Sequence, residues 1–369
     1  MRTPAKLEHA DPDVRLRAVI ALGKLKPSKL AKYAAALADR LEDSDPQVRH
    51  NALVTLGKLE PAALAQHAGS LVSRLEHMDS SVHTAACMAL RRLEPHTLVH
   101  HAHAVIARLG DCDGAIRWHA LETLRQLDPA KLAQHADAVI TRLDDTNLNV
   151  RRAALATLGR LDAADLVEHA HALRATLEDS DWHMRSQALR TLGKLAPGTL
   201  AECASAAVTS LDDPHEEVRQ TALETLGKLE RAALLQHADA LVARLEDVDV
   251  YVRRAALEAF GKLALGNSGT QLELVQHARA VVARLEDGDS CVRKVAKRIL
   301  RSLPLRLGAH VDFDSEGLRL QLLGQLAWYS CRLRFHVERL ALYWYALPYR
   351  LSGPGFARDA EAWGRIVGE

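Results

Sequence analysis

The stretch Asp43-Ser44-Asp45-Pro46-Gln47-Val48-Arg49 contains a short phrase, a hydrophobic residue followed by a basic one, that recurs nine times along the chain. The copies follow one another in steps of 34 residues, apart from a last step of 40, at Val14-Arg15, Val48-Arg49, Val82-His83, Ile116-Arg117, Val150-Arg151, Met184-Arg185, Val218-Arg219, Val252-Arg253 and Val292-Arg293. A fixed period this short is typical of a solenoid of stacked supersecondary units. Solenoids commonly bind partners along an extended face, so the repeat bears on function as well as on fold.

Each repeat is predicted to contain two antiparallel helices joined by a short acidic turn. In the repeat that runs from Pro61 to Leu93, the first helix, helix A, has its apolar residues at helical spacing: Leu64, Ala68, Leu71, Val72 and Leu75. Asp79 can cap the second helix, helix B, whose apolar stripe is Val82, Ala86, Leu90 and Leu93. The pattern therefore predicts an all-α fold, an α-solenoid of about eight 34-residue helix pairs with a helical C-terminal cap.

Three positions of the repeat hold the same residue in every copy. One is always alanine, at Ala18, Ala52, Ala86, Ala120, Ala154, Ala188, Ala222, Ala256 and Ala296. Two others are always leucine, and their first full examples are Leu41 and Leu59. A small residue lets neighbouring helices approach closely, so we expect the Ala52-type residues to be almost fully buried and the leucines to fill the layer between repeats.

The repeat resembles the HEAT family, because the turn at Asp43–Arg49 is followed by Ala52-Leu53 and Leu56-Gly57. The resemblance covers roughly residues 5–303. Within the HEAT family, the repeat resembles the phycobilisome-lyase-like branch in particular. Near-identical strings at 56–68 and 226–238 also resemble the duplicated HEAT arrays of unicellular algae. The resemblance implies that helix B lines a concave face. It further implies hydrogen bonds along the stack for the pairs Asp45/Arg49, Asp181/Arg185 and Asp249/Arg253.

The composition changes after the last repeat, which predicts two regions, a repeat solenoid at 1–303 and an aromatic-rich helical cap and tail at 304–369. The second region holds 10 of the 15 aromatic residues. Its aromatics, among them Trp328 and Trp344, are interleaved with arginines. Three interpretations remain open for its long helix: a cap on the last repeat, a partner-binding or dimerising helix, and an interfacial membrane helix.

The net charge indicates which classes of partner to expect, and the cysteine content indicates the cellular compartment. With 48 basic and 47 acidic residues the net charge is +1, whereas nucleic-acid binders are usually strongly basic, so we expect no nucleic acid. The five cysteines form no CxxC pair, and the first residues lack a secretory apolar run. These features predict an intracellular protein, in the cytoplasm. We expect no association with a membrane, unless the C-terminal helix binds at the membrane interface.

The histidines are the strongest candidates for chemistry, but the pattern does not complete a site. His96, His100 and His103 fall at i, i+4 and i+7, which can chelate a metal, yet no carboxylate or cysteine completes the set. A ladder of six more recurs once per repeat, where we expect a structural role: His67, His101, His135, His169, His237 and His277. We therefore expect no metal and no cofactor.

Catalysis is not expected either. The HEAT-like enzyme deoxyhypusine hydroxylase binds two irons through His-Glu pairs, and this chain has one such dipeptide, His215-Glu216. HEAT-like DNA glycosylases use aromatic and acidic residues, for which Trp118 and Glu122 are weak evidence. Since no glycine-rich phosphate loop, GxSxG or HExxH motif occurs either, we predict a protein that is not an enzyme.

The exposed side of helix B varies from repeat to repeat while the core positions stay fixed. Its aromatic, histidine and arginine positions are the candidate partner-binding residues: Trp118, Arg152, His183, Tyr251 and Arg254. A stripe of lysines and arginines, including Lys58 and Lys228, favours either an acidic partner or the C-terminal end of a helix dipole. The leading interpretation is a non-catalytic protein-binding scaffold. The alternatives are a lyase-like accessory protein that handles a chromophore or metal, and a purely structural array.

Overall fold

The computed structural model describes residues 3–76, 80–264, 277 and 280–302, and the chain divides into two compact units, Met1–Gly266 and Asn267–Glu369. The described residues form helices and turns, with no strand among them. The predicted boundary at 303/304 and the predicted cap at 304–369 lie outside these residues and stay predictions.

Helix B is the regular element of the fold, an 11-residue α-helix in each of the first seven repeats. Its bounds are Pro12–Leu22, Pro46–Leu56, Ser80–Leu90, Gly114–Leu124, Leu148–Leu158, Trp182–Leu192 and Glu216–Leu226, followed by the longer Val250–Ala264 and Ser290–Ser302. The N-cap side chain accepts a hydrogen bond from a backbone amide of the first turn, as Asp45 does from Gln47 and Val48. The predicted helix breaks are confirmed wherever the residues are described.

Helix A is not continuous, which differs from the prediction of one helix. It consists of two short pieces in repeats 2 to 8: Pro27–Leu30 and Ala34–Asp39, Pro61–Ala65 and Ala68–Ser73, Pro95–Leu98 and Ala102–Ala107, Pro129–Ala133 and Ala136–Ile140, Ala163–Val167 and Ala170–Ala175, Pro197–Glu202 and Ala204–Thr209, and Arg231–Leu235 and Ala238–Ala243. In repeat 1, helix A is Thr3–Leu7. The break falls at the histidine ladder, where His67 has φ −112° and ψ 9°, in the sparsely populated bridge region.

Single turns of 3₁₀-helix complete the A side of the repeats. Most of them follow helix A and lead into the acidic turn, at Arg40–Glu42, Arg74–Glu76, Arg108–Gly110, Thr176–Glu178, Ser210–Asp212, Arg244–Glu246 and Arg284–Glu286. Two others, Ala31–Tyr33 and Val99–His101, join the two pieces of helix A. Such turns are common as connectors at helix ends.

The core lies between the two helical layers of the array. Within the first compact unit neighbouring B helices pack against one another, and from repeat 2 onwards each helix B also packs against the second piece of its own helix A. All nine Ala52-type residues are buried, with Ala18 the most exposed at 4%. The Leu41-type residues are also buried, except for the half-buried Leu177. This burial pattern confirms the predicted α-solenoid.

Candidate partner-binding face

The helix-B face is the set of positions equivalent to Gln47, His50 and Val54 in each repeat. These positions are three and seven residues apart, so they lie on one side of helix B. All three side chains are exposed in repeat 2, whereas Val48 and Ala52 on the opposite side are fully buried. In repeat 2, packing therefore leaves this side of helix B exposed to solvent.

An arginine on helix B joins its repeat to the next one in five of the repeats. Arg117 is representative: its Nε and Nη2 donate to Asp145 Oδ2 and Oδ1 at 2.7 and 2.6 Å. Its Nη1 donates to the carbonyls of Asp111 and Cys112 at 2.8 and 3.0 Å. The arrangement recurs, always with an aspartate 28 residues further on, in the pairs Arg15–Asp43, Arg117–Asp145, Arg151–Asp179, Arg185–Asp213 and Arg219–Asp247.

In four of these pairs the pKa of the carboxylate is lowered, at Asp43, Asp145, Asp213 and Asp247. Burial alone would raise the pKa of Asp145, but the hydrogen bonds from Arg117 and the Asn147 amide, with the charges of Arg117 and Arg142, bring the pKa below its usual value. The pKa of Asp43 is lowered against burial in the same way, by Arg15 and its other neighbours. Bidentate arginine–carboxylate pairs of this kind fix geometry as well as charge.

The acceptor differs from the one that the resemblance implied. Asp45 and Asp249 cap helix B, because each carboxylate accepts backbone amides of the first turn. Asp181 also accepts the Met184 amide, and it pairs with Arg152 of the preceding repeat. Arg185 donates instead to Asp213, which precedes the N-cap of the following repeat by two residues.

The lysine stripe binds helix ends. Lys58 Nζ donates to the carbonyl of Gly23 at 2.7 Å, and Lys228 Nζ donates to that of Gly193 at 2.9 Å. Lys194 and Lys262 make the same bond to the preceding repeat. In repeat 2 and repeats 6 to 8 the acceptor is the residue that follows helix B of the preceding repeat, where uncapped carbonyls and the helix dipole favour a cation. This geometry supports the helix-dipole interpretation of the stripe.

Trp118 and Arg152 lie on the face but are partly engaged by neighbours. Trp118 is half-buried, and its ring packs edge-on against His119 with 4.7 Å between centroids. Arg152 donates from Nε and Nη2 to Asp181 at 3.1 and 2.8 Å. These hydrogen bonds to the Asp181 carboxylate raise the pKa of Arg152. A partner carboxylate would have to share or displace Asp181 to use this guanidinium.

Tyr251, Arg254 and His183 are more accessible. Tyr251 is 55% exposed, and the Arg254 guanidinium lies 5.5 Å from its ring centroid, within the range of a cation–π contact. His183 is exposed, next to Trp182, whose ring stacks on His215 at 3.9 Å. The structure thus brings Tyr251 and Arg254 together within repeat 8 and places His183 on the equivalent helix of repeat 6.

The three metal candidates do not share one helical stripe. His96 lies in Pro95–Leu98, His100 in the 3₁₀ turn Val99–His101, and His103 in the following α-helix. All three are exposed, and His103 packs edge-on against His135 at 5.4 Å. Burial lowers the pKa of His135, and the charge of His103 lowers it further. Within the described part of the chain, no group of three His, Cys, Asp or Glu side chains is placed to hold a metal ion.

The residues that had suggested enzymes occupy structural positions. His215 caps helix B of repeat 7, where its Nδ1 accepts the Glu217 amide at 3.3 Å. Glu122 is buried, and its Oε2 accepts hydrogen bonds from Arg125 at 2.8 Å and from Arg91 at 3.4 Å. Both contacts are of the kind that stabilises a helix end or a buried charge.

Sequence reasoning missed the third column of the face, at the positions equivalent to Val54. In the first three repeats this column holds large apolar side chains that remain exposed, namely Ile20, Val54 and Met88. The signal was present, since these residues lie four positions after the His50 column on the same helix. Conversely, Ser186 of the His50 column is buried, and its hydroxyl lies 3.2 Å from that of Thr221.

The fold and the pair geometry define a HEAT-like α-solenoid, and comparison with known proteins gives its family. Residues 5–302 match the family described as the adaptin N-terminal region, and the chain belongs to that family. The match supports HEAT-like helical repeats and not the phycobilisome-lyase branch. Adaptin-type regions are helical-repeat scaffolds, consistent with a protein-binding role.

Solved structures agree on the fold. An engineered protein with a crystal structure is 18% identical to this chain, with a TM-score of 0.58, and the likeness covers 88% of this chain and 98% of the engineered one. No curated protein matches the chain in sequence. None of the helices in the described residues is long and apolar enough to cross a membrane.

Proposed function

We propose that the protein is a non-catalytic protein-binding scaffold or adaptor that recognises its partner through the helix-B face. The observation that carries the proposal is the contrast between two sides of one helix. The core side repeats the same residue types nine times and is buried, whereas the other side changes from repeat to repeat and exposes side chains such as Tyr251. A surface that packing does not dictate is free to be selected for binding.

The side chains on this face suit recognition. Aromatic residues and arginine dominate the binding energy of protein interfaces, and the face holds Trp118, Tyr251 and Arg254. The five arginine–aspartate pairs join neighbouring repeats, so the face is pre-organised at these junctions and loses little freedom there on binding. The adaptin-type family match supports the same role.

The test begins with a protein partner captured by the immobilised chain and then produced in pure form. We expect Trp118→Ala and Tyr251→Ala each to weaken its binding by about 2 kcal/mol or more, roughly thirtyfold in Kd. Calorimetry would measure the affinity, and thermal melting would show that each variant is folded. Val167→Ala on helix A, where Val167 is 42% exposed, is the matched control. Normal binding by both aromatic variants would contradict the proposal.

A further inference from the structure

Exposed apolar side chains are concentrated on one part of the array. Six large hydrophobic residues of the described chain are exposed, and three of them occupy the Val54 column of consecutive repeats. Ile20 is 42% exposed, Val54 is 48% exposed and Met88 is 49% exposed. Scattered exposed hydrophobics need no explanation, but a contiguous row of them marks an interaction site. We call these three residues the apolar row.

The row ends after repeat 3. In repeats 4 to 8 the same column holds residues that are charged or small: Glu122, Ala156, Arg190, Glu224 and Glu258. Since the helices of the two regions pack in the same way, the backbone does not require an apolar residue here. The apolar row is therefore a local property of the first three repeats rather than a feature of the repeat.

The spacing of the row suits an α-helix laid across the B helices. Packed helices lie about 8–10 Å apart, so neighbouring members of the row are separated by roughly that distance. An α-helix rises about 1.5 Å per residue, which puts residues i, i+7 and i+14 at intervals of about 10.5 Å on nearly one side. A helix crossing the three B helices could set one apolar side chain on each member of the row.

The charge beside the row indicates what else this helix should carry. One turn beyond the row, at the C-terminal ends of the B helices, lie five basic residues, Lys24, Lys26, Lys58, Arg91 and Arg92. The acidic residues on this edge are Glu60 and Glu94, and Arg91 is paired with Glu122 of repeat 4. Lys24, Lys58 and Arg92 are exposed, so the edge presents an excess of positive charge to solvent. An acidic flank on the bound helix would complement it.

We propose that the apolar row binds an amphipathic α-helix of a partner protein, with apolar residues at i, i+7 and i+14 and acidic residues along the flank nearest the basic edge. This inference rests on the proposed scaffold function, and it names the segment of the partner and the repeats that receive it. Amphipathic helices bind grooves and faces in this manner through regularly spaced apolar anchors. The apolar burial supplies affinity, and the flank charges set the direction of the helix.

The probe is a synthetic helical peptide with leucine at i, i+7 and i+14 and glutamate along one flank. Its control has the same composition, with the leucines moved to different sides of the helix. Methyl-labelled methionine gives the readout, because the chain has four methionines, of which Met88 is exposed and Met184 is fully buried. We expect the peptide to shift the Met88 methyl resonance and to leave that of Met184 unchanged. The control peptide should shift neither.

Substitutions then locate the contact. Val54→Gln and Met88→Gln should each weaken peptide binding about tenfold, the effect of losing one buried apolar side chain. Val167→Gln, at a residue of similar exposure on helix A, should bind normally. Using two variants keeps the test valid if one of them proves unstable. Failure of the peptide to bind, equal binding by the control peptide, or unchanged affinity in both variants would overturn the inference.

The outcome is separable from that of the scaffold proposal. If a captured protein partner loses affinity in Tyr251→Ala but the peptide does not bind the apolar row, the scaffold function stands and this inference fails. If the peptide binds the row but the captured partner binds Trp118→Ala and Tyr251→Ala with unchanged affinity, then the recognition surface lies in the first three repeats. The residues named in the scaffold proposal would then be wrong.

Discussion

Single residues carry the connection between repeats, and the arginine of helix B is the most informative of them. The sequence identifies this arginine at once, because it recurs with the repeat. It does not identify the acceptor, since aspartates occur two residues apart in the same turn, as Asp43 and Asp45 do. The structure separates their tasks: Asp45 caps its own helix, while Asp43 receives the guanidinium of the preceding repeat.

Removing one partner of this pair should be costly. Asp145→Ala would leave Arg117, which is 8% exposed, as a buried charge without its bidentate acceptor. We expect a loss of about 3–5 kcal/mol of unfolding free energy, measured by urea denaturation. Asp144→Ala, at the exposed neighbouring carboxylate, is the control and should change the free energy little. Equal stability of the two variants would show that the pair does not join the repeats.

The same pair predicts the sign of the pH dependence. The pKa of Asp145 is lowered in the folded state, whereas an unfolded aspartate titrates near about 3.9. The pair therefore contributes its full stability above about pH 4, and this contribution is lost as the pH falls through the lowered pKa. Thermal melting from pH 7 to pH 3 should show a shallower decline for Asp145→Asn than for the unchanged chain. Parallel curves would contradict this assignment.

At the scale of the element, helix B could be predicted closely and helix A could not. Helix B has a capping residue such as Asp113 and one continuous apolar stripe, which is sufficient to place both its ends. In helix A the apolar spacing continues across the break at His67, and Leu64 and Leu71, one in each piece, are both fully buried. Periodicity alone therefore cannot reveal a residue that leaves the helical conformation.

The alanine of helix B is the element-scale test of close packing. Ala154 is fully buried where helix B of repeat 5 contacts its neighbours, so a larger side chain has no room. We expect Ala154→Leu to cost about 1–3 kcal/mol of unfolding free energy. Ala115→Leu, at an exposed position of helix B in repeat 4, supplies the comparison and should be tolerated. An unchanged melting curve for Ala154→Leu would argue against the close approach of these helices.

For the molecule as a whole, the fold class could be predicted from the sequence because the same pattern of core residues recurs in all nine repeats. The exposure of the helix-B face was predicted only in part. Variation at Trp118, Arg152 and Tyr251 is visible in the sequence, but their accessibility is set by neighbours such as Asp181, which the repeat spacing does not reveal. The three members of the apolar row could not be distinguished from core residues by sequence, because they are apolar as well and only their exposure in the structure separates them.

The central claim is that one side of helix B serves packing and the other serves recognition. A substitution scan of the B helices, with every variant scored for folded abundance and for binding to an isolated protein partner, tests it most directly. The account predicts two separate sets: core columns such as Ala52 lose abundance, while face columns, among them Tyr251 and Met88, keep abundance and lose binding. Face variants that all bind normally, or binding losses only where abundance falls, would contradict the claim.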